Sequence, residues 1–354
     1  MILPGLIYAD VRIRVSAGGT GKTTVALFEA ITLALGNELW GQKPPAPIKT
    51  VMVTHEDSRE ILVARMRIIL NEMFLNSEEI DQVLNNVQIL DVSGTGYRLS
   101  RIDEDVVQPH FENIDAMVEA CQLFQPDWII FDPLVSFGVG ESRVNDAEQG
   151  LIEAFRVFRN KLDCCIEGIH HTGKANAREK TSDQYSGRGG SALADGSRMV
   201  VVMLPVEAQE WFQKTGISLE EDESGLVMHF AKLSYCKRPA SIYIRRSGFT
   251  FTQESISELS TADLQRRNMD QVFEFISSEF SKGKRYNNTQ LDQVTPQLNL
   301  TRKELRECLD ELCMEGSIVY RGKRGKVGSF YEPKEPDCGI KSFDSDKADG
   351  TYDW

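Results

Sequence analysis

Apolar residues recur with two different periods at the start of the chain. Val11, Ile13 and Val15 occupy every second position, which predicts a β-strand. From Thr24 the apolar residues recur at helical spacing, and Gly36 follows as a stop, which predicts a helix. A strand followed directly by a helix is the repeating unit of α/β folds, and the same unit recurs further along the chain.

Four more strands are predicted between residues 49 and 171, from short apolar runs rich in β-branched or aromatic residues. The runs are KTVMVT, NVQILDV, DWIIFD and LDCCIEGIHH. Ser58 is a candidate cap for a helix after the first of these runs, and residues 145–162 predict an amphipathic helix before the last. Strands and helices that alternate at this spacing predict a mostly parallel sheet with right-handed crossovers.

A glycine-rich loop, SAGGTGKTT, lies between the first strand and the first helix. Its glycines let backbone N–H groups turn inward around phosphate oxygens, and the following helix N-terminus favours negative charge. We expect Lys22 to reach the β- and γ-phosphates of ATP and the Thr23 hydroxyl to ligate Mg²⁺. The usual pattern begins with glycine where this chain has Ser16. The predicted nucleotide-binding residues are Ser16, Ala17, Gly18, Gly19, Thr20, Gly21, Lys22, Thr23, Thr24 and, from a later strand, Asp132.

Polar residues stand at the carboxyl ends of the other predicted strands. Glu56 and Asp57 follow the second strand, Asp132 closes the fourth, and His170 and His171 end the fifth. Ligands of parallel sheets gather at this edge, and Asp132 is expected to anchor Mg²⁺ through bound water. Hydrolysis needs a base beside the γ-phosphate, which a carboxylate on a neighbouring strand would supply. Glu56 is the preferred base; Asp57 is either the base instead or only a helix cap.

The histidine pair in GIHHTGKANAREKT, residues 168–181, is open to several interpretations. A zinc site needs further Cys or His ligands, and adjacent strand residues point to opposite faces, which disfavours one shared metal. A second phosphate loop would need a glycine-rich run, which HTGK lacks. A sensor at the end of the strand fits best, and a histidine satisfied within the fold is the alternative.

Taken together, SAGGTGKTT, THEDS, DWIIFDP, IHHTGKA and GRGGSALADGSR resemble the RepA-like hexameric replicative helicases of plasmids and phages, which have a RecA-type ATPase core. The resemblance covers residues 1 to about 250 and depends on the order and spacing of these five motifs. It implies a ring, expected to be a hexamer, that uses ATP and Mg²⁺ and acts on single-stranded DNA. A replication initiator or loader is a further implied partner.

The resemblance also implies roles for individual residues of this chain. Those implied to serve ATP and Mg²⁺ within one subunit are Lys22, Thr23, Glu56 and Asp132. His171 matches the polar sensor that links the γ-phosphate to DNA-binding loops. Arg198 matches the arginine finger given to the ATP of the adjacent subunit, with Arg188 and Lys232 as weaker candidates. A surface arginine that opens a strand is the alternative for Arg198.

Two polar segments are candidate DNA-binding loops in the channel of such a ring. Residues 172–187 are short of apolar anchors and closed by glycine, and an ordinary mobile loop is the alternative. Their candidate phosphate contacts are Lys174, Arg178 and Lys180. Residues 138–146 form the second candidate, with Arg143 as the only cation.

The last third of the chain predicts a separate, smaller domain. An amphipathic helix over residues 269–280 and a short helix over 287–294 precede a helix that begins with a capping box of Thr301 and Glu304. The segments SIVY and SFYEP predict a hairpin around the basic turn RGKRGKVG. Three helices and a hairpin look like a winged-helix domain, which would bind either DNA or protein. The basic residues of its wing are Arg321, Lys323, Arg324 and Lys326.

The predicted organisation is an ATPase core over residues 1–252, a linker over 253–262, the winged-helix domain over 263–333 and a disordered acidic tail over 334–354. We expect an ATP-dependent DNA helicase or translocase of plasmid or phage replication. The alternative is an ATP-switched DNA-binding regulatory or initiation ATPase without unwinding, and a RecA-like recombination ATPase is a third interpretation.

Composition and charge bound the class of protein. A net charge of −13 argues against a surface coated with nucleic acid, but leaves room for a local basic channel. No apolar run approaches the ~20 residues that would cross a bilayer, and the N-terminal residues lack the features of a signal peptide. The seven cysteines show no C-x-x-C pair, so adjacent Cys164 and Cys165 are expected to be buried, reduced thiols of a cytoplasmic protein.

Overall fold

The computed structural model describes residues 1–139, 144–173, 181–187, 189–257, 261–298, 300–322 and 328–334. The chain divides into two compact units, Met1–Ser257 and Glu258–Trp354. The first unit is built around a nine-stranded sheet, and the second combines helices with a two-stranded sheet. The α/β fold and the mostly parallel sheet predicted from the sequence are confirmed.

The strands in chain order are β1 Val11–Ser16, β2 Thr50–Thr54, β3 Val87–Asp91, β4 Ser100–Asp103, β5 Val106–Pro109, β6 Trp128–Asp132, β7 Cys165–His171, β8 Met199–Val206, β9 Glu223–Leu233, β10 Ile242–Ser247, β11 Thr250–Glu254, β12 Ile318–Arg321 and β13 Phe330–Pro333. The α-helices are α1 Lys22–Ala34, α2 Arg59–Glu72, α3 Ser77–Asn86, α4 Phe111–Gln122, α5 Val144–Leu162, α6 Ala192–Gly196, α7 Ala208–Thr215, α8 Thr261–Ser281, α9 Asn288–Leu291 and α10 Arg302–Met314.

The large sheet has β1 at its centre, in the order β11-β10-β9-β8-β1-β7-β6-β2-β3. The strands from β8 to β3 in this order are parallel, and β9, β10 and β11 continue the sheet as antiparallel strands. Helices α1, α2 and α3 pack on one face, and α4 and α5 pack on the other. The carboxyl ends of β1, β2, β6 and β7 therefore meet at one edge of the sheet.

Two arginines of β1 are buried beneath α1. Arg12 Nη1 donates to Glu167 of β7 at 2.6 Å, and Arg14 Nε donates to the same carboxylate at 2.5 Å. Arg14 also donates to Glu29 of α1, whose other oxygen accepts a bond from the Trp40 indole at 2.8 Å. Burial lowers the pKa of Arg14, but the two carboxylates raise it more, so the guanidinium stays charged. These ion pairs join β1, β7 and α1.

The apolar run that leads into β7 lies in the core of the first unit. Cys164 and Cys165 are buried free thiols, as predicted. Burial raises the pKa of the Cys165 thiol well above its ordinary value, so the thiol stays protonated. Across the described residues, no helix combines the length and the apolar character that crossing a membrane requires.

Over its described residues, the second unit has the elements that the sequence predicts. Helices α8, α9 and α10 contribute to one core with β12, and β12 pairs antiparallel with β13. The capping box predicted at Thr301 and Glu304 begins α10. Gly316, with a φ of 80°, follows the end of this helix. Local signals therefore determine where α10 begins and ends.

The structure differs from the predicted boundaries in several places. Leu162 is the last residue of α5, so β7 begins only at Cys165. Gln253 and Glu254, predicted to open the linker, complete β11, where they pair with β10. The β4–β5 hairpin and the helices α3, α4, α6 and α7 were not predicted. Of the residues of the two hairpin strands only Ser100 is buried, so these strands lack the pattern of a buried strand.

We predict that Glu167→Gln destabilises the full chain by about 3–5 kcal/mol, because Arg12 and Arg14 would remain buried without their common counterion. Urea denaturation followed by tryptophan fluorescence measures the free energy of unfolding. The matched control is Glu153→Gln, whose partner Arg156 is 36% exposed, so that its loss should stay below about 1 kcal/mol.

The pH dependence provides a second readout of the same variant. Burial raises the pKa of Glu167, but Arg12 and Arg14 lower it more, so it lies below its ordinary value. The stability that Glu167 contributes is therefore present above its unfolded pKa and lost as the pH falls through its folded pKa. The difference in free energy of unfolding between wild type and Glu167→Gln should become smaller in acid. A loss of stability in Glu153→Gln equal to that in Glu167→Gln would contradict the assigned role.

Candidate nucleotide site

The glycine-rich loop connects the end of β1 to the start of α1. Gly19 and Gly21 have φ angles of 79° and 83°, a backbone conformation that favours glycine. A Cβ on Gly18 or Gly19 would meet no described atom within 4 Å, so a ligand can approach the loop closely. Gly21 precedes α1 without a side-chain cap, which leaves the first N–H groups of the helix for an anion.

Lys22 begins α1 and lies across the loop. Its Nζ donates to the carbonyl oxygens of Ser16 at 3.3 Å and Ala17 at 2.9 Å. Burial lowers the pKa of Lys22, while Asp132 and Glu56 oppose that shift. Lys22 is thus a largely buried cation at the positive, N-terminal end of the α1 dipole, with two carboxylates near it.

Thr23 and Asp132 form a hydroxyl–carboxylate pair beside the loop. Thr23 Oγ1 donates to Asp132 Oδ2 at 2.5 Å. Within the described residues, no cluster of three or more His, Cys, Asp and Glu could hold a metal by itself. Mg²⁺ prefers oxygen ligands and takes one or two protein groups together with phosphates and water. The pair fits this requirement, so Thr23 and Asp132 are the residues that could hold Mg²⁺ here.

Burial makes Asp132 a weaker acid than an ordinary aspartate. It is 8% exposed at the end of β6, and burial raises its pKa to about 6. The Thr23 hydrogen bond and the charge of Lys22 lower the pKa, and the nearby carboxylates of Asp57 and Glu56 raise it again. Asp132 is therefore ionised at neutral pH at a cost to the stability of the fold.

Two acids from the end of β2 contribute to the site in different ways. Glu56 and Asp57 both line a cavity of about 260 Å³ together with Lys22, Asp132 and other residues of the site. Asp57 accepts a bond from Arg65 at 3.2 Å, and Ser58, as predicted, caps α2. In the described part of the chain Glu56 forms no ion pair, so of the two acids it is the one whose carboxylate no arginine engages.

The two histidines at the end of β7 lie on opposite faces of the sheet, as adjacent strand residues must. His171 Nδ1 lies 3.4 Å from Lys22 Nζ and lines the same cavity. His170 is buried on the other face. The backbone N–H of Thr172, the next residue, donates to Ser16 at 3.0 Å. The end of β7 is thereby attached to both ends of the phosphate loop.

Arg198 lies at the opposite edge of the sheet from this site. Its backbone N–H donates to Val11 at 3.0 Å, at the start of β1, whereas the phosphate loop follows Ser16. These two ends of β1 are roughly 16 Å apart at about 3.3 Å per residue. Lys232 lies at the same edge as Arg198, where its Nζ donates to Ala194 and Asp195 at 2.7 and 3.0 Å. The structure does not bring Arg198 to the nucleotide site of its own chain.

Several predicted contacts fall outside the described residues. They are Arg143, Lys174, Arg178, Lys180, Arg188, Lys323, Arg324 and Lys326. The flanks of the segment 172–187 are described: Thr172 and Gly187 form a β-bridge, and Glu148 of α5 accepts a bond from the N–H of Gly190 at 2.8 Å. The candidate DNA-binding loop therefore begins and ends at fixed points close to His171.

Sequence reasoning missed two cations near the phosphate loop. Arg65 lines the cavity and pairs with Asp57; its place two turns along the helix that begins after Asp57 was the available signal. Arg246 of β10 lies against Gly21, with Nη1 3.3 Å from the position of a Cβ on that glycine. No local signal could find Arg246, because the contact depends on how the far end of the sheet folds over α1.

A family model described as AAA domain matches residues 1–177 of the chain. The matched segment contains the phosphate loop, the acids that follow β2, the aspartate of β6 and the histidine pair of β7. The match supports a phosphate-loop ATPase and implies nucleotide binding.

We predict that Asp132→Asn stabilises the fold at pH 8 by about 1–3 kcal/mol while abolishing Mg²⁺-dependent ATP hydrolysis. A folded pKa of about 6 lies above the ordinary pKa of aspartate, so the ionised side chain lowers stability as the pH rises. The gain should be largest above pH 6 and smaller at pH 5. Urea denaturation at pH 8 and pH 5, with a phosphate-release assay, measures both effects.

Asp91→Asn is a control that should change the stability of the fold in the opposite direction. Hydrogen bonds from Ser93, and then from the backbone of Arg59, lower the pKa of Asp91, so its ionised form stabilises the fold. The variant should be less stable than wild type at pH 8, and this loss should shrink in acid. A loss of stability at pH 8 in Asp132→Asn would contradict the assigned cost of burying that carboxylate.

Proposed function

This chain belongs to the AAA domain family, and from that premise we propose that it is an ATP-driven, ring-forming DNA helicase or translocase. The ring, expected to be a hexamer, would act on single-stranded DNA in plasmid or phage replication in the cytoplasm. The resemblance of five motifs to the RepA-like replicative helicases supports this proposal. A replication initiator or loader would be its partner protein.

The connection at the end of β7 supports the proposal most directly. His171 Nδ1 lies 3.4 Å from Lys22 Nζ, and the backbone of Thr172 is bonded to Ser16 at the start of the phosphate loop. The chain then enters the candidate DNA-binding segment 172–187. When the γ-phosphate leaves, negative charge beside Lys22 is lost. This loss would change the contact between Lys22 and His171 and so the position of the start of that segment. A motor needs such a link between nucleotide state and DNA contact, whereas a simple hydrolase does not.

The side chains of the site divide the work of hydrolysis. Lys22 and the N–H groups of α1 hold the phosphates and balance their charge, and Thr23 and Asp132 would hold Mg²⁺. When bound, Mg²⁺ would neutralise charge on the β- and γ-phosphate oxygens. Glu56 orients a water molecule for in-line attack and accepts its proton. Arg198 of the adjacent subunit would stabilise the charge on the transferring group.

The second unit supports DNA or partner binding, but not the ATPase chemistry. Its three helices and hairpin are the elements of a winged helix, and we propose Lys323 and Arg324 as the basic residues of its wing. α10 exposes Arg302 and Lys303 in its first turn and Glu307 and Asp310 further along, so only the start of this helix is suited to phosphate contacts. A wing that binds DNA and a helix face that binds protein are compatible roles.

We predict that single-stranded DNA stimulates ATP hydrolysis and that the protein separates a duplex with a single-stranded tail. Glu56→Gln should bind ATP but hydrolyse it about 10²–10⁴-fold more slowly, because shape is kept and the base is lost. Asp57→Asn is the matched control and should have a smaller effect, since Asp57 is engaged by Arg65. Phosphate release and a fluorescent strand-separation assay measure these rates.

Two outcomes would change the proposal. If Asp57→Asn hydrolyses ATP more slowly than Glu56→Gln, the base is Asp57. Nucleotide-controlled binding of duplex DNA without strand separation would favour the alternative, an ATP-switched regulatory or initiation ATPase.

A further prediction concerns Arg198 as an arginine finger. Arg198→Ala should bind ATP nearly normally but lose about 10³–10⁵ in hydrolysis rate, the usual effect of removing such a finger. Lys22→Ala should be inactive because its phosphate loop fails. In a mixture of the two variants, some interfaces pair an intact Lys22 with an intact Arg198 of the neighbour, so hydrolysis should partly return.

The mixing experiment needs subunits that exchange, which mass photometry of differently tagged chains can verify first. Each variant alone, and a mixture of Lys22→Ala with Glu56→Gln, are the controls, because both of those changes lie in the same site and cannot complement. Absence of rescue despite demonstrated exchange would exclude Arg198 as a residue that acts on the neighbour's ATP.

A further inference from the structure

The hairpin of β10 and β11 brings a second cation to the phosphate loop. Arg246 Nη1 lies 3.3 Å from the position that a Cβ on Gly21 would occupy, at the N-terminus of α1. Both residues belong to the first unit, although β10 is separated from β1 by two strands of the sheet. The curvature of this sheet over α1 therefore places a guanidinium beside the loop that is proposed to hold phosphates.

The guanidinium is held in place by its own hairpin. Arg246 Nε donates to the carbonyl of Gly248 at 2.8 Å, and the guanidinium lies 5.7 and 6.0 Å from the ring centroids of Phe249 and Phe251. Phe251 packs edge-on against Phe28 of α1, with ring centroids 5.4 Å apart. The side chain is thus fixed at Nε and against two aromatic rings, which reduces the entropy lost when it binds a ligand.

The hairpin tip is itself fixed to α2. Glu72, the last residue of that helix, accepts a hydrogen bond from the backbone of Phe249 at 2.7 Å. Glu72 does not pair with Arg246, and among the described residues neither Nη nitrogen of Arg246 has a hydrogen-bond acceptor. Two N–H-bearing nitrogens of a half-buried cation beside a helix N-terminus are suited to an anion with several oxygens.

The strand order indicates which part of a nucleotide would lie there. Glu56 and Asp132 follow β2 and β6, on one side of β1, and they define where the γ-phosphate reacts. Arg246 approaches Gly21 from β10, on the other side of β1. A triphosphate whose β-phosphate is cradled by the loop must therefore extend its α-phosphate away from the acids and toward Arg246.

We propose that Arg246 is a further nucleotide-binding residue, which binds the α-phosphate end of the polyphosphate through its Nη groups. This inference rests on the proposed nucleotide-binding function and adds a specific contact to it. Lys22 binds the phosphates from the side of the acids, and Arg246 binds them from the side of the hairpin. Arg246 contributes affinity and does not touch the atoms that react.

Isothermal titration calorimetry of the full chain with Mg²⁺ and either ATP or inorganic tripolyphosphate tests the assignment. Arg246→Gln should weaken binding of both ligands by the same factor, about 10- to 100-fold, because the lost contact is a charge-assisted hydrogen bond to phosphate. Arg246→Lys should retain part of the affinity, since it keeps the charge but loses the planar fork. Thermal unfolding of each variant verifies the fold.

The matched control is Arg245→Gln, the same change one residue earlier on the same strand. Arg245 pairs with Glu254 at 2.8 Å and Glu223 at 3.1 Å on the other face of the sheet. This variant should bind ATP and tripolyphosphate like wild type, even if its thermal unfolding midpoint falls. Equal losses of affinity in Arg245→Gln and Arg246→Gln would show a general effect of the hairpin and overturn the assignment.

The remaining outcomes are separable. If Arg246→Gln weakens the binding of ATP but not that of tripolyphosphate, the contact is with the nucleoside and the assignment to phosphate is wrong. If Lys22→Ala weakens the binding of both ligands and Arg246→Gln weakens the binding of neither, the inference fails while the proposed ATPase stands. If wild type binds neither ligand, the proposed function fails and the inference falls with it.

Discussion

Arg14 of the central strand donates hydrogen bonds to carboxylates in two different layers of the first unit, Glu167 on β7 and Glu29 on α1. Burying a charge costs several kcal/mol, and only complete pairing offsets that cost. α1 and β7 can therefore not shift independently of β1 without separating buried ions. The phosphate loop leaves β1 and enters α1, and His171 ends β7, so this constraint fixes the distance between Lys22 and His171 on which the site depends.

The site above this ion network contains groups whose burial is unfavourable by itself. Burial raises the pKa of Asp132 to about 6 and lowers the pKa of Lys22, and the two groups only partly compensate each other. Perturbed acids and bases that meet in one cavity are typical of functional sites. Lys22 and His171 belong to α1 and β7, which the buried ion pairs join to β1. The fold thereby maintains a pre-organised arrangement for the nucleotide that the AAA domain implies.

The groups of the nucleotide site and Arg198 lie at opposite ends of the parallel strands of the large sheet. The nucleotide groups lie at the carboxyl edge, and Arg198 lies at the amino edge, where it is available to another molecule but not to its own phosphate loop. In a ring, such a division would make each site depend on a neighbour, which is how the proposed motor would couple its subunits. At the antiparallel end of the sheet, Arg246 of β10 lies beside Gly21 of the phosphate loop.

The sequence by itself determined the features that depend on neighbouring residues. The glycine loop, the cap at Ser58, the capping box at Thr301 and the polar strand ends could be predicted because hydrogen bonding and backbone conformation within a few residues decide them. The parallel order of the strands brought Lys22 and His171 to one edge, which the alternation of strands and helices also predicted.

Only the tertiary structure decided where the buried charges and the distant cations lie. The alternation around Arg12 and Arg14 is typical of a strand with one face in water, yet β1 is buried on both faces because helices cover both faces of the sheet. Its partner Glu167 is 153 residues from Arg14, and Arg246 reaches Gly21 from a strand of the antiparallel end. Such contacts depend on strand order and sheet curvature, which the packing of the whole unit sets and no local pattern records.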